Sequence, residues 1–77
     1  MLVEYLDHRE GRTKNGGKLF AILYYAEQDE GCRHGKKYTE QYISEKMVNS
    51  IPKNIQPGEL LDLQYDKGGF LVELNPA

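Results

Sequence analysis

Six tyrosines and ten basic side chains are the residues of this 77-residue chain whose types and spacing bear most on chemistry. A tyrosine offers a flat face on which a nucleobase can stack and a hydroxyl that tolerates water. Lysine and arginine neutralise phosphate. Proteins that hold single strands combine the two, each stacked base being worth roughly 1–3 kcal/mol. Seven of the ten basic residues fall between Arg9 and Lys37. Six of these gather in two acid-free stretches: Gly11 to Lys18, with Arg12, Lys14 and Lys18, and Gly31 to Lys37, with Arg33, Lys36 and Lys37 beside His34. Tyr24 and Tyr25 lie between the stretches, and Tyr38 and Tyr42 follow the second. In a strand, Tyr38 and Tyr42 share one face with Glu40 between them. The candidate nucleic-acid-binding set is therefore Arg12, Lys14, Lys18, Tyr24, Arg33, Lys36, Lys37, Tyr38 and Tyr42. Two features oppose it. Glu40 repels phosphate, and the net charge of −2 means that attraction for a polyanion has to be local. Tyr5, Tyr25 and Tyr65 read as core or rim residues.

Other chemistries find less support. Cys32-Arg33-His34 offers two metal ligands where zinc takes three or four. A cysteine and a histidine two residues apart in a loop are poorly placed to act as nucleophile and base. Asp29-Glu30 and Asp62-Asp66 lack the spacing of a calcium loop. Gly16-Gly17 precedes a strand-like run, whereas a phosphate-binding loop opens a helix. No catalytic residue, metal or cofactor is assigned, and the chain is not read as an enzyme.

Length and composition set the frame. Seventy-seven residues make a single domain, 1–77, with a thin core, and domains of this size often pair to bury more apolar surface. Apolar residues at 39% and charged residues at 29% are ordinary for a folded chain. With one cysteine no internal disulfide forms, and with no leader sequence a reducing, cytoplasmic setting is expected. No apolar run approaches the length of a membrane span.

The side chains must be positioned by strands. Lys18 to Ala26 carries large residues on both faces: Leu19, Ala21, Leu23 and Tyr25 on one, Phe20, Ile22 and Tyr24 on the other. That pattern, flanked by Asn15-Gly16-Gly17 and Gln28-Asp29-Glu30-Gly31, predicts a central strand covered on both sides. Strand one is expected at 1–9, followed by a mobile finger over 10–17, strand two at 18–27 and strand three at 37–44. Ser44 is the expected N-cap of a short helix at 45–51, stopped by Pro52. One longer helix over 39–51, in a split α+β sheet, is the competing reading. Strand four is expected at 59–65, with Leu61, Leu63 and Tyr65 on one face. After the turn Asp66-Lys67-Gly68-Gly69 comes strand five at 70–74, with Phe70, Val72 and Leu74 inward. The expected fold is all-β: a five-stranded Greek-key barrel of the OB type, with one short helix between strands three and four.

Thr13-Lys14-Asn15-Gly16-Gly17-Lys18-Leu19-Phe20 looks like the early hairpin of small OB-fold single-stranded-DNA-binding proteins. The closing segments Gly58-Glu59-Leu60-Leu61-Asp62-Leu63 and Gly69-Phe70-Leu71-Val72-Glu73-Leu74 are similar in outline to the helix-destabilising proteins of filamentous phages and related mobile elements. The resemblance is one of layout and covers most of the chain. It implies a homodimer that coats single strands with little sequence preference, in replication or transfer of a phage or plasmid, with a replication protein as a further partner. It puts stacking on Tyr24, Tyr38 or Tyr42, and phosphate contacts on the six basic residues above. The alternative is a protein-interaction module on the same barrel, indifferent to nucleic acid, with an exposed apolar patch around Tyr24, Ile43 and Val48.

Overall fold

The computed structural model describes residues 1–77. Its elements are β1 (Leu2–Arg12), β2 (Leu19–Gln28), β3 (Lys36–Ile43), α1 (Glu45–Val48), β4 (Leu60–Tyr65) and β5 (Leu71–Pro76). The expected sequence of three strands, a short helix and two strands is therefore present, and the longer helix over 39–51 is not. All five strands lie in one antiparallel sheet, ordered β3-β2-β1-β4-β5. The sheet is open: β3 and β5 are its two edges, and no ladder joins them. The expected closed barrel is thus not formed. One side-chain bond spans the two halves, where the Tyr65 hydroxyl donates to Gln41 Oε1 at 2.7 Å.

The inner face of the sheet makes the core. Ala21, Leu23 and Tyr25 of β2 are buried against Val3, Tyr5, Ile43, Leu61, Leu63, Leu71 and Leu74. Val48 and Ile51, on and just after the helix, cap this cluster. The outer face of β2 differs from expectation. Phe20, Ile22 and Tyr24 are only half-buried, because they are covered by neighbours on the same sheet face and not by a second layer.

The helix is four residues long and ends at Val48. Its chain continues through bonds of the 3₁₀ type, Ser50 N to Met47 O and Ile51 N to Val48 O, so the expected helix over 45–51 tightens after one turn. Ser44 occupies the N-cap position, with φ −72° and ψ 162°, but its hydroxyl makes no capping bond. Glu45 in the first turn accepts the Leu19 backbone N–H at 3.2 Å, which ties the helix to the start of β2.

Two bulges reset which residues face inward, as an inserted residue in one strand must. In β1 the register shifts between Tyr5 and Asp7. Beyond it His8, Glu10 and Arg12 pair with the inward residues Leu23, Ala21 and Leu19, while Asp7, Arg9 and Gly11 join the outer face. In β5 the register slips beside Val72, since Gln64 pairs with Glu73 but Tyr65 pairs with Leu71. Leu71 and Leu74 are therefore buried, and Phe70 and Val72, expected inward, are exposed.

The connections are tied. β1 runs on to Arg12, and the turn after it is closed by Thr13 N to Lys18 O at 2.9 Å and Lys18 N to Thr13 Oγ1 at 3.0 Å. The Arg12 guanidinium donates to the Gly17 carbonyl at 2.9 Å. Gly16 and Gly17, at φ 103° and 62°, take the left-handed conformations the turn requires. The expected mobile finger is thus a closed, hydrogen-bonded turn. No helix is long and apolar enough to cross a membrane.

Candidate nucleic-acid interface

Antiparallel pairing puts residues directly across from one another on the same face, so the registers of β1, β2 and β3 assemble the outer surface rung by rung. Gly11 lies beside Phe20. Arg9, Ile22 and Tyr42 form the next rung, then Asp7, Tyr24 and Glu40, then Glu4, Ala26 and Tyr38. One continuous surface thus carries Phe20, Tyr24, Tyr38 and Tyr42 around Ile22. Tyr38 and Tyr42 are the most open of these, at 69% and 55% of full exposure. The Phe20 and Tyr42 rings stack, with centroids 5.8 Å apart and planes inclined at 16°. Phe20 lies over Gly11: a Cβ there would stand 2.9 Å from Phe20 Cζ. The glycine is what allows the ring to lie across β1.

The basic residues expected at the site are divided by this geometry. The segments 11–18 and 31–37 sit at opposite ends of β2, roughly 30 Å apart for a ten-residue strand, and so flank the aromatic surface instead of forming one rim. At the first end Lys14 and Lys18 are exposed, and Arg12 is engaged with the Gly17 carbonyl. Lys18, Lys46 and Tyr42 line a groove of about 410 Å³ with Thr13, Leu19, Ser44 and Glu45. Past Tyr42 and Ser44 a second groove of about 510 Å³ continues along Gln41 and Met47 to Phe70. Phe70 is 72% exposed on a turn held by Asp66, whose Oδ1 accepts the N–H groups of Gly68 and Phe70 at 2.9 and 3.0 Å.

At the other end Arg33 is exposed on the connection between β2 and β3. Lys36 shares the outer face with Tyr38 but is paired with Glu4 at 2.8 Å, and that bond raises its pKa above the usual lysine value. Lys37 pairs in register with Glu27, on the opposite side of the strand from Tyr38. Lys36 and Lys37 are therefore the weakest members of the expected set.

Phe20 and Arg9 belong to this surface and Phe70 borders it across the groove at the β3 edge, and sequence reasoning selected none of the three. Alternation put Phe20 on the same face of β2 as Tyr24, but large residues on both faces left the outward direction of that face to the structure. Arg9 reaches the face only through the β1 bulge, since strict alternation from Tyr5 turns it inward. Phe70 is displayed by the β5 register slip for the same reason. The apolar patch expected for a protein-docking module does not form: Ile43 and Val48 are core residues, at 0% and 4% exposure. No group of three His, Cys, Asp or Glu side chains is placed to hold a metal ion.

Fold and surface together define an all-β protein with one open antiparallel sheet, one short helix and an aromatic outer face. No protein-family model, curated protein or solved structure matches the chain.

Proposed function

We propose that this protein binds single-stranded nucleic acid, without catalysis, on the outer face of β1, β2 and β3. The observation that carries the reading is the gathering of Phe20, Tyr24, Tyr38 and Tyr42 on one sheet face, with the stacked Phe20–Tyr42 pair opening onto the groove of Lys18 and Lys46. Half-exposed rings near unpaired lysines suit bases that stack and phosphates that are neutralised beside them. Arg9, in the rung of Ile22 and Tyr42, adds a cation in the middle of the face.

The strand order supports an open form of the OB architecture. Closing such a five-stranded sheet into a Greek-key barrel requires a contact between its edge strands, here β3 and β5. Here that contact is replaced by the Tyr65–Gln41 bond and the groove beside Phe70. The reading carries with it a homodimer acting in the cytoplasm, coating single strands during replication or transfer of a phage or mobile element alongside a replication protein.

Titration of a fluorescent oligothymidine at low salt tests the function directly. Binding that weakens as salt rises is expected. Absence of binding with protein at tens of micromolar would refute the reading.

A further inference from the structure

Glu40 is the acidic residue of the outer face that neither an ion pair nor a backbone hydrogen bond engages, since Glu4 holds Lys36 and Asp7 accepts the His8 N–H. It is exposed in β3, lies between Tyr38 and Tyr42, and pairs in register with Tyr24. Neither of the two ion pairs of the chain involves it. Asp7 flanks Tyr24 on the other side, but its Oδ1 already accepts the His8 backbone N–H at 2.8 Å. The carboxylate of Glu40 is therefore free to meet whatever stacks on Tyr24, one strand spacing away, about 4.8 Å.

A carboxylate on a base-stacking surface repels phosphate and accepts hydrogen bonds only. It keeps the sugar-phosphate chain toward the basic ends of the face, and it discriminates among bases by the donors on their edges. Guanine presents N1–H and an N2 amino hydrogen side by side, matching the two oxygens of one carboxylate. Cytosine and adenine each offer a single amino group. Thymine and uracil offer N3–H between two carbonyl oxygens, which the carboxylate repels. We infer that Glu40 is a specificity-determining residue, selecting guanine for the base that stacks on Tyr24. This inference rests on the single-strand reading above and adds to it a base preference.

The test compares a short oligothymidine with the same oligomer carrying one central guanine, and with one carrying inosine, which keeps N1–H but lacks the N2 amino group. The single guanine also avoids the association of guanine runs. Guanine is expected to bind about tenfold tighter than thymine, with inosine between them, as a paired set of base-edge hydrogen bonds allows. Glu40→Gln should erase the preference while leaving oligothymidine binding unchanged or tighter, since one negative charge is removed. Glu73→Gln, on β5 and remote from the face, should leave the preference intact. If the wild-type protein binds oligothymidine but treats guanine and thymine alike, or if Glu40→Gln retains the preference, the inference fails and the function stands. Glu40 is then a charge that keeps an edge strand from pairing with another sheet. If oligothymidine itself is not bound, the function and the inference fall together.

Discussion

Gly11 and Phe20 show how single side chains settle the surface. The glycine has no need of an unusual backbone angle; what it supplies is the empty space over which the Phe20 ring lies. Gly11→Ala is expected to push the ring off β1 at a cost in stability below about 1 kcal/mol, because the ring swings toward solvent. Its affinity for oligothymidine should fall to that of Phe20→Ala, while the denaturation midpoint stays close to wild type. Tyr42→Ala is expected to weaken binding by more, about tenfold or above for a stacked base, because Tyr42 borders both grooves. An unchanged affinity in Tyr42→Ala, measured by the same titration, would remove the outer face as the binding surface.

The elements explain which faces those residues occupy. Alternation along β2 is unbroken and sets Ala21, Leu23 and Tyr25 apart from Phe20, Ile22 and Tyr24, but with large residues on both faces only packing decides that the first set turns inward. Leu23 is fully buried at the centre of the sheet, and Leu23→Ala should cost about 2–5 kcal/mol in chemical denaturation, a large fraction of the stability of so small a domain. β4 and β3 are joined by Tyr65. Burial of its hydroxyl, and then the neighbouring Tyr25 hydroxyl, holds its pKa well above the ordinary tyrosine value. The unfolded chain therefore ionises first. Stability from this group is intact below about pH 10, the unfolded value, and is lost as the pH climbs toward the folded one. Burial, with Asp7 adding to it, acts on Tyr5 in the same direction. Tyr65→Phe should flatten part of this alkaline decline in a series of denaturation curves from pH 9 to pH 11, to the extent that Tyr65 and not Tyr5 produces it. A decline as steep as that of the wild type would show that Tyr65 makes no contribution to it.

The whole molecule is elongated, 42 × 30 × 21 Å, with a radius of gyration of 13.0 Å against about 11.5 Å for a compact chain of this length. The extra length matches hairpins that reach past the core. Its body is acidic overall, yet Lys14, Lys18 and Arg33 stand at the ends of the aromatic face. Binding should therefore be electrostatic but modest. For contacts to about three to five phosphates, the plot of log affinity against log salt should have a slope of about −2 to −4. Lys14→Glu with Lys18→Glu should lower affinity strongly and make that slope shallower by at least about 1. A slope unchanged by the double substitution would place the phosphates elsewhere.

The sequence by itself determined the strand content, the short helix between β3 and β4, the two alternating faces of β2, and the common face of Tyr38, Glu40 and Tyr42. Each follows from local alternation or from turn and cap residues, which act over a few positions. Tertiary structure alone decided the rest. Extra residues at the Tyr5–Asp7 and Val72 bulges reverse the phase of alternation, so Arg9 and Gly11 join the outer face and Phe70 and Val72 turn to water. Pairing between distant strands set Arg9 level with Ile22 and Tyr42 and tied Lys36 to Glu4. The opening between β3 and β5 depends on how the two halves of the sheet pack, which no local pattern encodes.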